Sequence, residues 1–509
     1  MTLAQLAWTR LAFGPTLPEL ALYLDDGTKS ERACFEAFVE AQLHPEAIDD
    51  KACDARLAAL RLATQSKSVT QLWQDHAVAA NKLKDQGKHD EAGALRQQPL
   101  HETEKATWVR VVNSRRQLHE VLVDAWHGHF SVFGQEGQVA PVFASYDRDV
   151  IRPCVLGNFR DLLGRVAESP AMLFYLDNHV NQSGNPNENY ARELFELHTL
   201  GAEHYLGTEA RTKVQGYGEG KPVGYVDGDV YEAARCFTGW RVDSGGKSGE
   251  TGVFQYFDAW HDRFQKIVLG HALPEHQPPQ KDGRDVLDLL SAHPATARHV
   301  ALRLCRRLVA DDPPASLVDK AARVFRETAR AKDQLRSVVR AIVLSDEFAR
   351  SERQKLRRPL ELTVAALRAT GAELIPDDDF LKRTGETGQR LFAWHTPDGY
   401  PDRREAWDST AQMLERWRFA NQLAHDNVPG ARLDVLASTP AGSRTPAQIA
   451  DHWLPRLLGQ PPDPRTRVAL VSFLAQGRNP DVALSDEQRR ERLPSAVALI
   501  LMTPELQWR

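Results

Sequence analysis

The sequence predicts a mainly α-helical protein, with a large multi-helix body and a small irregular insertion that contains a few short strands. Three observations support this fold class. Apolar residues recur at intervals of three and four through residues 1–201 and 286–509, which is the pattern of amphipathic helices. Helix-start signals such as Ser169-Pro170 precede these stretches. Residues 202–285 instead contain many glycines, aromatic residues and short alternating runs such as Val253 to Phe257, which are typical of loops and strands.

These patterns divide the chain into three regions. Residues 1–201 form an N-terminal helical region, in which Thr16 is placed to cap a helix that begins near Leu17. Residues 202–285 form the insertion, with one helix from Asp229 to Phe237, and its aromatic content is typical of an ordered lid. Residues 286–509 form a C-terminal helical region.

The C-terminal region contains two segments with the same order of features. Residues 302–349 and 453–509 each have a Leu/Arg helix, a proline break, a second helix and a final apolar helix. This order is typical of a diverged helical repeat. The arginines in the first segment are interpreted as parts of local helix faces: Arg303, Arg306 and Arg307.

Composition limits the classes of function. The formal net charge is −5 over 509 residues, so there is no global electrostatic reason to expect nucleic acid. No run approaches the roughly 18 apolar residues that a membrane span needs, and the N-terminus lacks the features of a signal peptide. The expected compartment is therefore the cytoplasm. The five cysteines show neither metal-like spacing nor an even count, and are expected to be small buried residues: Cys34, Cys53, Cys154, Cys236 and Cys305.

Residues 185–201 form the stretch around which the candidate site is built. Asn185 can cap a helix, Pro186 fits its first turn and Gly201 supplies a left-handed stop. A helix turns about 100° per residue, so one stripe of this helix carries two carboxylates and a guanidinium. The stripe consists of Asn189, Arg192, Glu193 and Glu196, and the opposite face carries Ala191, Leu194 and His198.

Two interpretations of this polar stripe remain open. In the first, it is a solvated face on which Arg192 pairs with Glu188 or Glu196. In the second, it lines a pocket, because apolar residues occur almost all round the helix and such helices are usually buried. Buried charges must then be paired or used in chemistry. Glu193 and Glu196 are the candidate acid/base residues, and Arg192 is a candidate for positioning the substrate or the acid.

The segment Trp126-His127-Gly128-His129-Phe130 is the second candidate. If it is extended, residues two apart share a face, and His127 and His129 could bind one metal ion. If it is helical, the two imidazoles point about 200° apart and cannot do so. With Glu193 and Glu196 they would form a site suited to zinc, manganese or non-haem iron. The alternative is that one histidine caps the helix end and the other is a core residue.

Amide and acidic side chains cluster before the helix predicted within residues 185–201, which we call the central helix. Asp177, Asn178 and Asn181 are expected at its N-terminal end, together with Asn187 and Asn189. The positive end of a helix dipole with amide side chains suits an anionic group of a substrate. Ordinary Asx turns are the alternative.

Two further loops supply candidates. A lid formed by the insertion could bring His261 and Asp262 over Glu193 as catalytic groups, or these two could be ordinary turn residues. Trp394 and Tyr400, with Trp407 close by, could form a stacking wall for a sugar or could join the two halves of the chain.

Long strings of the sequence resemble a known bacterial family. They include YDRDVIRPCVLGNFRDLLGRVAESPAMLFYLDN, NPNENYARELFELHTLG and ARCFTGW, and shorter motifs from RLAFGPT and WHGHF to PDGYPD and TPELQWR extend the match along nearly the whole chain. The family is domain of unknown function 1800. The resemblance implies no reaction. It implies relatives that are often exported, unlike this chain as it stands, and a partner from a neighbouring phosphatase-like or sulfatase-like family.

Three classes of function compete. A hydrolase of a glycan or other polar polymer needs two carboxylates and aromatic walls, but Glu193 and Glu196 are too close for an inverting arrangement and need a partner from elsewhere. A metal-dependent enzyme, hydrolytic or oxidative, would also draw on His198 or His261 for ligands. A non-catalytic scaffold or partner-binding protein would use the charged motif as a structural network. Metal-assisted hydrolysis is the leading expectation, with a divalent metal ion bound by His127 and His129.

Overall fold

Helices make up most of the chain, and its strands are few and short, which confirms the predicted fold class. The structure is a computed structural model that describes residues 2–16, 30–245, 249–459 and 462–509. The predicted helix near Leu17 lies outside these residues.

The N-terminal region contains one long helix, α6, which packs against helices from its own region and from the C-terminal region. The described helices of this region are α1 (Leu3–Arg10), α2 (Glu31–Leu43), α3 (Lys51–Ala59), α4 (Val69–Leu72), α5 (Ala79–Asp85), α6 (His89–Asn113), α7 (Gln117–His129), α8 (Phe143–Ser145), α9 (Phe159–Ala167), α10 (Pro170–Tyr175) and α11 (Asn189–Glu193).

The insertion contains one helix, α12 (Asp227–Cys236), two residues ahead of its predicted start, and four short strands. The strands form two separate antiparallel pairs, β1 (Trp240–Val242) with β2 (Phe254–Tyr256) and β3 (Lys266–Val268) with β4 (His271–Leu273). A third pair, β5 (Glu373–Leu374) with β6 (Ala431–Arg432), lies in the C-terminal region, where no strand was predicted.

The C-terminal region is helical again. Its helices are α13 (Lys281–Ala292), α14 (Pro294–Leu308), α15 (Ala315–Glu327), α16 (Gln334–Val343), α17 (Asp346–Ala349), α18 (Pro359–Thr370), α19 (Asp378–Gly385), α20 (Thr410–Ala424), α21 (Pro446–Leu458), α22 (Pro464–Ala475), α23 (Asp486–Leu501) and α24 (Pro504–Gln507). The two predicted repeat segments both fold as three helices followed by a one-turn helix, α14 to α17 and α21 to α24.

One hydrophobic core draws on all three regions, from Leu6 to Leu506. Contacts between distant parts of the sequence close it. The Arg10 guanidinium donates to the carbonyl of Ser351, 341 positions along the chain. Arg509 pairs with Glu361 at 2.9 Å, across 148 positions.

Three segments of the described ranges have π-helical geometry, which is rare and frequently occurs at functional sites. They are Trp73–Val78, Tyr146–Ile151 and Leu194–His198. The third continues α11 directly and carries Glu196. The wider turn changes the angular spacing of side chains just after Glu193, where the sequence predicted a regular α-helix.

Candidate active site

The central helix begins later than predicted. α11 starts at Asn189, and Glu188 rather than Asn185 occupies the cap position. The preceding residues form turns instead, because the Asn187 amide donates to the side chain of Asn181 at 2.9 Å. The Asn187 side chain then accepts a hydrogen bond from the Asn189 amide, also at 2.9 Å. Such side-chain bonds to the backbone compete with helix formation.

The two carboxylates of the central helix lie at the boundary between core and solvent. Glu193 and Glu196 are both partly buried, whereas Leu194 and His198 behind them are fully buried. Neither carboxylate forms a hydrogen bond or ion pair within the described part of the chain. Burial raises the pKa of Glu193 to about 7, and the nearby charge of Glu196 adds to this effect. Glu193 therefore holds and releases a proton near neutral pH.

The neighbouring arginine does not neutralise this carboxylate. Arg192 pairs with Glu188 at 3.1 Å, as one of the two interpretations predicted, and with Asp227 at 3.2 Å. Its guanidinium also lies 6.0 Å from the ring centre of Tyr205. Arg192 is thus held by two other acids, and its charge only partly offsets the rise in the pKa of Glu193.

A second wall of the site comes from residues 394–403, which we call the aromatic loop. Tyr400 packs between Trp394 and Trp407, at ring distances of 4.8 and 6.0 Å, and its hydroxyl donates to the Arg390 carbonyl at 2.8 Å. Tyr400 therefore fixes the loop. Trp394 is only partly buried, and its indole NH donates to Asp398 at 2.8 Å.

Gly399 brings the aromatic loop against the end of α7. A Cβ atom at Gly399 would lie 2.1 Å from the carbonyl oxygen of Gly128, and the glycine has a φ of +74°. Both facts require glycine at this position. The glycine of the WHGHF motif thus supplies the backbone on which the aromatic loop rests.

Tyr175 lies between the aromatic loop and the central helix. Its hydroxyl donates to the His395 carbonyl at 2.8 Å. Burial raises its pKa, and the charges of Glu136, Glu193 and Asp398 add to this rise. Asp398 also contributes to the raised pKa of Glu193. Asp398 is exposed, and the negative charges of Glu136, Glu193 and Asp398 all act on the Tyr175 hydroxyl. No sequence signal marked Tyr175, because it lies in an ordinary apolar helix.

His127 belongs to a buried ionic network rather than to a pair with His129. Its Nε2 atom bonds to Asp147 at 2.9 Å. Arg152 bonds to the other oxygen of Asp147 at 2.7 Å and to Glu120 at 3.0 Å. Burial alone would raise the pKa of Asp147, but Arg152 and His127 hold it below its usual range.

The prediction that His127 and His129 share a metal ion is not supported by this geometry. α7 stays helical to His129, so the two imidazoles point to different surroundings. His129 is 2% exposed, and its Nε2 atom bonds to the His198 carbonyl at 3.0 Å. Burial, with Arg303 and His299 nearby, lowers the pKa of His198 to about 3. His129 and His198 are therefore neutral core histidines beside Arg303.

The insertion does not bring His261 and Asp262 to Glu193. His261 bonds to Asp282 at 3.1 Å, and Lys266 bonds to the same carboxylate at 2.6 Å. Asp262 accepts two hydrogen bonds from Arg235, at 2.8 and 3.0 Å. These partners belong to α12, β3 and α13. His261 and Asp262 therefore belong to a network of ion pairs that holds the insertion together.

The amide cluster before the central helix is mostly structural. Asn178 is buried and donates to the carbonyl of Trp240 at 3.0 Å. Asn181 is buried and donates to Ala234 at 2.9 Å. These bonds tie the turn to the insertion, so Asn178 is not available to a substrate. Asp177 and Asn189 remain exposed at the edge of the turn.

Arginines form the part of the site that the sequence reading missed. Arg303, Arg306 and Arg307 do not form a simple helix face, because all three line a cavity between α7, α14 and the aromatic loop. Arg358 and Arg403 join them there. The sequence signal was the concentration of arginines in LRLCRRL and KLRRPLE. The spacing of these residues along the chain does not show that the two segments meet in the fold.

Within the ranges that the structure describes, no group of three or more His, Cys, Asp or Glu side chains is placed to hold a metal ion. In the same ranges, no helix is long and apolar enough to cross a membrane.

Comparison with known proteins gave a family match. The sequence model of a family described as "protein of unknown function (DUF1800)" matches residues 6–508. No match was found among curated proteins or solved structures.

Proposed function

The chain belongs to the DUF1800 family of proteins of unknown function, and we propose that it is a hydrolase of a polar substrate, in the first instance a glycan, with Glu193 as general acid and Asp398 as general base. The observation that carries the proposal is the carboxyl group of Glu193. It has no partner within the described residues, it is partly exposed, and its pKa is about 7. A general acid or base works best when its pKa lies near the working pH.

Asp398 supports this assignment because it supplies a second carboxylate from a different element. Glycoside hydrolysis needs two carboxyl groups on either side of the bond that is cleaved. Glu196 lies one helical turn from Glu193, which is too near for an inverting arrangement. Asp398 approaches from the aromatic loop and is held by hydrogen bonds from Trp394 and from Thr396, the latter at 2.5 Å.

The mechanism uses these groups in sequence. The protonated carboxyl of Glu193 donates its proton to the leaving oxygen of the substrate as the bond breaks. The carboxylate of Asp398 then accepts a proton from the attacking water, and the proton returns to Glu193 between cycles. The ring of Trp394, which is only partly buried, offers a surface on which a sugar ring can stack.

A matched pair of variants tests the proposal. The parent, Glu193→Gln and Glu188→Gln would be assayed on a panel of chromogenic glycosides and polar esters. Glu188 lies on the same helix and pairs with Arg192, so it serves as the control. We expect Glu193→Gln to lose about 10²- to 10⁴-fold in turnover, and Glu188→Gln to stay within about twofold because exposed pairs contribute little.

The pH profile gives a second readout. The activity of the parent should fall as the pH rises through about 7, because the proton that Glu193 donates is then lost. If the Glu193→Gln variant has the turnover of the parent, the proposed role of Glu193 is wrong. That result would favour the alternative that the protein is a non-catalytic scaffold. A parent that cleaves polar esters but no glycoside would replace the glycan with an ester substrate.

A further inference from the structure

A pocket lies behind the aromatic loop and is lined by more arginines than aspartates. The cavity has a volume of about 240 Å³. Its exposed members, Asp398 and Arg403, mark where it meets solvent. The arginines that line it are Arg303, Arg306, Arg307, Arg358 and Arg403, and the acids are Asp124, Asp398 and Asp402.

The acids of this cavity are already occupied by other donors. Asp124 pairs with both Arg307, at 2.8 Å, and Arg358. Asp402 pairs with Lys355 at 3.1 Å. Asp398 accepts from two side chains of its own loop. None of these three carboxylates lies within ion-pair distance of Arg303 or Arg306.

Arg303 and Arg306 are left with backbone partners alone. Arg303 donates to the Gly128 carbonyl at 2.8 Å, and Arg306 donates to the Asp311 carbonyl at 3.0 Å. Neither has a carboxylate within 4.0 Å among the described residues. Burial lowers the pKa of both guanidinium groups. Carboxylates act on both groups only from beyond ion-pair distance, Asp398 and Asp402 on Arg303 and Asp402 on Arg306 among them. A partly buried cation without a directly paired carboxylate is unfavourable, and a bound anion would relieve this cost.

The same wall contains unused hydrogen-bonding atoms. His129 lines the cavity and is 2% exposed, and its Nδ1 atom has no hydrogen-bond partner among the described residues. The Nε atoms of Arg307 and Arg358 are also without one. Buried polar atoms in folded proteins are almost always bonded, so these atoms add to the unmatched polar character of the wall.

We infer that this cavity binds a tetrahedral oxyanion, a phosphate or sulfate group, between Arg303 and Arg306. The planar fork of a guanidinium matches two oxygens of such a group. The volume of about 240 Å³ is several times the roughly 30 Å³ of one water molecule, so the group can enter without moving the walls. This inference goes beyond the proposed hydrolysis and does not depend on it.

The oxyanion can come from two sources. One is free inorganic phosphate or sulfate, and the other is an ester group that belongs to a larger molecule entering past Asp398 and Arg403. Both sources share the chemistry that the arginines recognise. Titration with inorganic phosphate, inorganic sulfate and phenyl phosphate distinguishes them, because only the ester needs space for a substituent at the mouth.

Calorimetric titration of the purified protein tests the inference, with sodium chloride of matched ionic strength as the reference. The variants are Arg303→Met and Arg306→Gln. The control is Arg298→Gln, which lies on the same helix with a side chain 48% exposed and paired to Asp319. We expect saturable binding of at least one of the three anions to the parent, about tenfold weaker or more in each cavity variant, and unchanged in the control.

Two results would overturn the inference. One is the absence of saturable binding for all three anions in the parent. The other is a folded cavity variant that binds the anion as tightly as the parent does. If Arg303→Met does not fold, Arg306→Gln provides this measurement. A response to phosphate equal to that of chloride at the same ionic strength counts as absence of binding, because it reports only general screening.

Discussion

Replacing Glu193 with glutamine should stabilise the protein at pH 8 and change its stability much less at pH 5. The pKa of this carboxyl is raised from 4.5 to about 7 in the folded protein. The unfolded chain therefore releases the proton at a lower pH than the folded chain does. The stability associated with the protonated group is fully present below pH 4.5 and is lost as the pH rises through about 7. Glutamine cannot ionise, so the variant avoids this loss.

The size of the effect follows from the shift and the exposure. The full shift would correspond to roughly 3 kcal/mol, at about 1.36 kcal/mol per pKa unit. Because Glu193 is partly exposed, screening by water reduces the expected gain to about 1–2 kcal/mol at pH 8. The free energy of unfolding would be measured in urea at pH 5 and pH 8, by tryptophan fluorescence. Glu188→Gln is the control, since it removes an exposed ion pair on the same helix. Equal pH dependence in the two variants would refute the reasoning.

Two further substitutions test the surroundings of the site. Asp147→Asn should cost about 3 kcal/mol in the free energy of unfolding, because it removes one of the two carboxylates that pair with the buried Arg152 and leaves Glu120 as the other. Asp149→Asn, an exposed control, should cost less than about 1 kcal/mol. Equal costs would contradict the buried network. Gly399→Ala should lower the free energy of unfolding by about 2 kcal/mol or more, because Gly399 has a left-handed backbone and a close contact with α7. Gly137→Ala is the control and should change it by no more than about 0.5 kcal/mol, because Gly137 has open space around it. Thermal unfolding of both variants measures the difference, and equal losses would contradict the close contact at Gly399.

The fold class could be predicted because it depends on the periodicity of apolar residues, which the sequence carries directly. Helix boundaries were less accessible. Asn185 and Pro186 form a good local start signal, but a side chain six residues before Asn187 bonds to its amide and delays the helix. The π-helical segment after Glu193 was also beyond reach, because its wider turn depends on packing rather than on a local motif.

The catalytic role of Glu193 stays a prediction. Glu193 was singled out from its position on a helix with few exposed faces, and its perturbed pKa agrees with that interpretation. The shared metal site at His127 failed because the glycine between the histidines was taken as a helix break, whereas α7 continues through it. Arg303 could not be identified, since its surroundings depend on α7 and the aromatic loop, which lie far from it in the sequence.

The ion pair between Arg509 and Glu361 has a consequence for biosynthesis. The two residues are 148 positions apart, so at roughly 5–20 residues per second a ribosome adds the arginine about 7–30 seconds after the glutamate. During that interval the nascent chain already contains Arg307 and Arg358, which bind the same carboxylate, but not the third guanidinium. The charged centre of the molecule therefore lacks one of its three guanidinium partners until Arg509 has been added, and nascent chains arrested before that residue should be recognisable to chaperones and proteases.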